Sequence, residues 1–97
     1  MKILALEKDR PGVSNSDFEP HLQAESQAVW DLLQSGVIRE IYFREGPSQA
    51  VLIMEAGSTD QAQLMLAQLP LVQAGLTEFE VIGLRPYPGF ARLFRDG

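Results

Sequence analysis

Gln68-Leu69-Pro70-Leu71, then Glu78-Phe79-Glu80-Val81-Ile82-Gly83-Leu84, then Pro86-Tyr87-Pro88-Gly89-Phe90 decide the fold. A helix ends near Pro70, a loop with Gly75 follows, and Thr77 to Leu84 reads as a strand. Pro86 and Pro88 cannot donate to a sheet ladder, so the chain beyond Leu84 leaves the sheet. Upstream of Pro70, Ala62, Met65, Leu66 and Leu69 recur at i, i+3, i+4 and i+7, a single helical stripe. Ser58 with Gln61 gives that helix a capping-box start.

Two strands precede it. Val37 to Arg44 and Ala50 to Ala56 flank the turn Gly46-Pro47-Ser48, which makes them hairpin partners. Ahead of the hairpin, a first helix runs to about Ser35 with Gly36 in the C′ position. Ser16 or Asp17 caps its start, Glu19 stands in capping-box spacing from Ser16, and Pro20 falls in the first turn, where its missing N–H costs least. Ile3 to Leu6 is a short first strand, stopped by Lys8-Asp9-Arg10-Pro11-Gly12. The order βαββαβ is the split βαβ pattern of ferredoxin-like α+β domains: a four-stranded antiparallel sheet with two helices on one face. Residues 1–97 form a single domain, with about 85–97 as a C-terminal tail or clasp.

The third strand bears on assembly. Val51 and Ile53 point to one face of the sheet, Leu52 and Met54 to the other. Two helices cover only one face, so a partner sheet on the other predicts a homodimer with a barrel-like core. The tail carries Tyr87, Phe90, Leu93 and Phe94; it closes its own cavity, crosses onto a partner subunit, or packs on its own sheet edge.

Composition narrows the function classes. The net charge is −5 and no lysine or arginine run occurs, which disfavours nucleic acid and anionic membrane surfaces as partners. The chain has no cysteine, so disulfides, thiolate chemistry and cysteine-bound metal are excluded. The apolar run at the N-terminus is too short for a signal peptide, and no window approaches a membrane span. The expected location is the cytoplasm. No glycine-rich phosphate loop, nucleophile elbow or His-Glu-x-x-His helix is present.

The candidate site residues lie mostly on the first helix. At about 100° per residue, Phe18, Leu22, Val29, Leu32, Leu33 and Gly36 form one stripe, and Glu25 falls near its middle. A carboxylate there faces the sheet. Burial without a partner raises its proton affinity into a range useful for general acid–base work. The competing reading is an ion pair with Arg39, Arg44 or Arg85. His21, the only histidine, lies one turn from both Glu25 and Asp17. It is either a proton carrier oriented by a carboxylate or a solvated residue at the helix start. Metal binding by Asp17, His21 and Glu25 is a weaker third reading, because metal sites usually draw ligands from several elements. On the second strand, Tyr42 shares a face with Ile38, Glu40 and Arg44 by simple alternation, and Tyr42 and Arg44 become candidate ligand-binding groups. Trp30 falls off the helical stripe.

With these residues in hand, the chain resembles the muconolactone isomerase-like branch of the dimeric α+β barrels. The resemblance rests on Leu32 to Gly36 at the end of the first helix, on Gln68-Leu69-Pro70-Leu71, and on Glu80-Val81-Ile82-Gly83-Leu84 followed by a proline. It implies an oligomer built on sheet-to-sheet dimers, a cavity between helices and sheet, and movement of a proton within a lactone without metal or organic cofactor. The family's glutamate–lysine pair on the first helix is matched at Glu25. Ser26 stands where the lysine would be, and the chain's only lysines are Lys2 and Lys8. Related barrels use a histidine with a carboxylate, a role open to His21.

Two functions follow as expectations. One is a cofactor-free enzyme moving a proton on a small organic acid, lactone or carbonyl compound, with Glu25 as base or acid, His21 assisting, and Tyr42 or an arginine steadying negative charge. The other is a non-catalytic small-molecule-binding or oligomer-forming module on the same scaffold, which predicts a filled cleft and Glu25 paired with an arginine.

Overall fold

The computed structural model describes residues 1–95. Four strands, β1 (Lys2–Asp9), β2 (Ile38–Phe43), β3 (Ala50–Glu55) and β4 (Thr77–Leu84), form one antiparallel sheet in the order β2-β3-β1-β4. The helices are α1 (Asn15–Phe18), α2 (Leu22–Gln34), α3 (Thr59–Leu66) and α4 (Pro70–Gln73). Glu19–His21 forms a 3₁₀ turn between α1 and α2, and Gly89–Phe94 a second in the tail. This is the ferredoxin-like arrangement expected from the element order.

Alternation sorts each strand into two faces. In β1, Ile3, Ala5 and Glu7 are buried against the helices, and Leu4 and Leu6 point the other way. Ala50, Leu52 and Met54 of β3 join them beneath the helices. Leu66 and Leu69 close this core from above, with Ile38 and Phe79 from the flanking strands. Gly83 lets α3 approach β4: a Cβ there would meet the Thr59 methyl and the Met1 sulfur, both at 3.1 Å.

Several boundaries depart from the sequence expectations. β1 extends to Asp9 rather than ending at Leu6, because it pairs along its whole length with β4. Ser14, not Ser16, caps the first helical segment; its N–H donates to Asp17 Oδ2 at 2.8 Å. The Ser58 cap forms as expected, accepting from the Gln61 N–H at 3.0 Å. Pro70 opens α4 instead of closing the preceding helix, since a proline at the first helical position gives up an N–H that has no partner in any case. Gly36, with φ 84°, takes the left-handed conformation that ends α2.

β2 holds the departure that matters most for the site. A bulge between Ile38 and Glu40 inserts one residue, and the alternation reverses beyond it. Ile38, opposite Met54, is buried in the core, and beyond the bulge Ile41 and Phe43, opposite Leu52 and Ala50, turn toward the helices. Glu40 and Tyr42 turn to the opposite face.

Candidate functional site

No residue of α2 is fully buried. Ala28, Val29, Leu32 and Leu33 pack against the core, while the N-terminal part of the helix leaves a cavity of about 660 Å³ over the sheet, within the range of small-molecule sites. Phe18, Leu22 and Val29 line it from the helices. Ile41, Leu52 and Phe79 line it from the sheet. Four acidic side chains, Glu7, Asp9, Glu19 and Glu25, also reach its wall, and no lysine, arginine or histidine does so among the described residues.

Glu25 projects from the middle of the helical stripe into this cavity. Its Oε1 accepts a hydrogen bond from the Leu71 N–H at 2.9 Å, an amide in the first turn of α4 that has no partner within its own helix. Burial raises the proton affinity of Glu25, and the Leu71 N–H partly offsets the rise. No arginine pairs with it among the described residues.

Glu7 is the residue that sequence reasoning missed. It is only 6% exposed, on the helix-facing side of a central strand. Its Oε1 accepts from the Ala50 N–H at 3.0 Å. Burial pushes its proton affinity up; the Ala50 N–H opposes this, and the charges of Glu25 and Asp9 add to it. Thr77 stands close enough to favour the charged form, yet its buried Oγ1 lies outside hydrogen-bonding geometry. The signal was present in the sequence: carrying the alternation of Ile3 and Ala5 two residues further lands on Glu7.

The remaining sequence candidates lie elsewhere. Asp17 is exposed and engaged in the Ser14 cap. His21 is half-buried in the 3₁₀ turn and does not line the cavity. That turn breaks the uniform helical projection from Asp17 through His21 to Glu25, since 3₁₀ geometry advances more per residue than α-helix. Among the described residues no three His, Asp or Glu side chains converge as a metal-ligand set, Asp17, His21 and Glu25 included. Tyr42 donates its hydroxyl to Glu40 Oε1 at 2.7 Å on the other sheet face, and that bond with the nearby carboxylate raises its phenol's proton affinity. Arg44 is exposed at the hairpin end, where its N–H donates to the Gln49 carbonyl at 2.9 Å.

No family model and no curated protein matches the chain. Among solved structures, the chain is similar to 5-chloro-2-hydroxyhydroquinone dehydrochlorinase (TftG) from Burkholderia phenoliruptrix AC1100, in complex with 2,5-dihydroxybenzoquinone. The TM-score is 0.72 at 24% identity, covering 92% of this chain and 98% of that one. It is also similar to muconolactone isomerase, with a TM-score of 0.72 at 20% identity over 91% of this chain and 92% of that one. Both are members of the dimeric α+β barrel superfamily. The chain therefore has the muconolactone isomerase-like fold, a ferredoxin-like α+β sheet with its helices on one face.

Proposed function

We propose that the protein is a small enzyme that moves a proton on a lactone or other activated carbonyl compound, with Glu25 as the general base. The observation that carries this reading is the position of Glu25: a half-buried carboxylate, without an arginine partner among the described residues, at the wall of an open and mainly apolar cavity. Desolvation makes such a carboxylate a stronger base than one in water, and a general base of this kind contributes about 10²–10⁴-fold in rate. The two structural neighbours support the class, since one is named an isomerase and the other is bound to a small cyclic dione.

The non-catalytic module predicts a filled cleft and Glu25 paired with an arginine; the open cavity and the Leu71 contact favour the enzyme. Ser26 in place of the family's lysine argues that the substrate or the charge balance of the reaction differs from that of muconolactone isomerase. The protein is further proposed to act as a homodimer joined through the helix-free face of the sheet. Leu4, Leu6, Val51 and Ile53 are half-buried there in a single subunit, and Ile82 is 37% exposed.

A panel of small unsaturated lactones and cyclic enones, followed by the absorbance change of double-bond migration, tests the enzymatic reading. Turnover that Glu25→Gln abolishes is the expected result. Turnover that survives the substitution would remove Glu25 from the chemistry.

A further inference from the structure

The charge distribution around the cavity carries a substrate class. A site for an organic acid needs a cation to offset the ligand's charge in a partly desolvated space. This cavity presents Glu7, Asp9, Glu19 and Glu25 and no basic side chain among the described residues. An anionic ligand would enter against like charge, in a medium where that repulsion is stronger than in water. Much of the wall is apolar, and Leu22, Val29, Leu52 and Phe79 suit a hydrocarbon ring.

Glu7 gives the second, independent observation. A carboxyl that is 94% buried, from an exposure of 6%, would ordinarily have both oxygens satisfied. Only Oε1 is bonded, to the Ala50 N–H. Oε2 is not sealed in the core as Thr77 Oγ1 is, and the side chain forms part of the cavity wall, which leaves this oxygen open to a ligand there. We infer that Glu7 is a catalytic acid paired with Glu25, and that the two together select an uncharged, enolisable carbonyl compound lacking any carboxylate. This rests on the reading of Glu25 as base.

The division of labour follows from the surroundings. Glu7 sits under β3's Ala50 N–H, beside Asp9 of its own strand and Thr77 of β4, and within the field of Glu25 from α2. Glu25 is the less buried of the two and has the Leu71 N–H of α4 to steady its charge. Two carboxyls in mutual range favour a state with one proton between them. Glu7 is the better place for it, leaving Glu25 ionised.

With a β,γ-unsaturated lactone, Glu25 takes the proton from the α-carbon. The C–H electron pair becomes the new C=C bond to the carbonyl carbon, and the carbonyl π pair moves to oxygen, which takes the proton of Glu7. In the return step the dienol gives its O–H proton back to Glu7 and the carbonyl re-forms. The electron pair at the γ-carbon then takes the proton held on Glu25. The double bond has moved, and both carboxyls end as they began. A cationic ligand would instead neutralise Glu25 and remove the base.

The test pairs a titration with ligands of matched shape. Carbon-13 NMR of the glutamate carboxyls should show Glu7 holding its proton above the ordinary glutamate range, with part of that shift lost in Glu25→Gln. α-Angelica lactone, which is neutral, should bind at least tenfold more tightly than its carboxymethyl or aminomethyl counterpart. Glu7→Gln, which keeps the acceptor for Ala50, should lower kcat at least tenfold with little change in Kd. It should also erase the alkaline limb of the pH profile. The inference is overturned by an ordinary Glu7 titration, or by one insensitive to Glu25→Gln. A charged probe bound as tightly as the neutral lactone, or no binding of the lactone, overturns it equally. The titration of the unaltered protein keeps the test open should Glu7→Gln fail to fold. Turnover abolished by Glu25→Gln alongside an ordinary Glu7 would leave the Glu25 reading standing and this one lost.

Discussion

Glu25 accepts the Leu71 amide and is proposed to act as a base through the same carboxylate, and side-chain substitutions separate the two. Its Oε1 satisfies the Leu71 amide, so Glu25→Ala leaves that part-buried donor unpaired and should cost about 1–3 kcal/mol of stability. Glu25→Gln retains an acceptor and should be spared that loss in urea. Equal losses for both would show that the Leu71 contact carries no stability. Acidity follows a related logic. Glu7 and Glu25 both bind a proton more tightly in the folded chain than in the unfolded one. Where the native state holds more protons, stability falls as pH rises. The favourable contribution is complete below the ordinary glutamate value and is lost as pH climbs through the folded value. Glu7→Gln should therefore flatten the thermal-melting profile over that window and raise Tm above neutrality, by about 4–8 °C for each kcal/mol recovered in a domain this small. An unchanged profile would mean that Glu7 is not strained by its burial. Glu25 was legible in the sequence because it interrupts an apolar helical stripe. Glu7 has only the weaker signal of the β1 alternation, because a short apolar run followed by Lys8-Asp9-Arg10-Pro11-Gly12 looks like a strand that has already ended.

Among the elements, α2 and β2 build the cavity, and only one of them could be read without coordinates. The apolar periodicity of α2 fixed its inward face. The bulge in β2 left no comparable mark, since Arg39 and Glu40 are ordinary strand-surface residues. It nevertheless decides which side chains face the cavity: Ile41 and Phe43 rather than Tyr42 and Arg44. His21 closes the 3₁₀ turn ahead of α2 and does not line the cavity that Glu25 enters. These placements make a graded prediction along the cavity wall. Leu52 is 1% exposed at its floor, so Leu52→Ala should cost about 2–5 kcal/mol. Phe43 is 66% exposed at its rim, so Phe43→Ala should leave the urea midpoint nearly unchanged while weakening ligand binding. A large loss of stability from Phe43→Ala would place that ring in the core instead.

Taken as one body, the subunit is longer than its core requires. Its radius of gyration is 16.3 Å and its longest extent 62 Å, against about 13 Å expected for the radius of a compact domain of similar length. The excess is consistent with the C-terminal segment. Tyr87 and Phe90 meet edge to face at 5.0 Å, yet Tyr87, Phe90, Leu93 and Phe94 are 65–81% exposed. None of these residues lines the subunit's own cavity. Such apolar exposure points to a second copy as its cover, together with the half-buried sheet face. Light scattering after size exclusion should give a dimer or a larger assembly, and Phe90→Ser with Phe94→Ser should weaken association without unfolding the sheet. A monomer at micromolar concentration would refute the clasp. The order of elements along the chain and the helix face were written plainly in the turn residues and apolar periods; the path of the tail was not, because prolines exclude a sheet position without choosing another. What the whole molecule is proposed to do depends on Glu25 exchanging a proton inside its cavity. Deuterium uptake from D₂O into α-angelica lactone, followed by NMR with the native protein and with Glu25→Gln at equal concentration, decides this. The prediction is enzyme-dependent uptake that falls about 10²–10⁴-fold on substitution while the protein stays folded; uptake that is equal in the two proteins would contradict it.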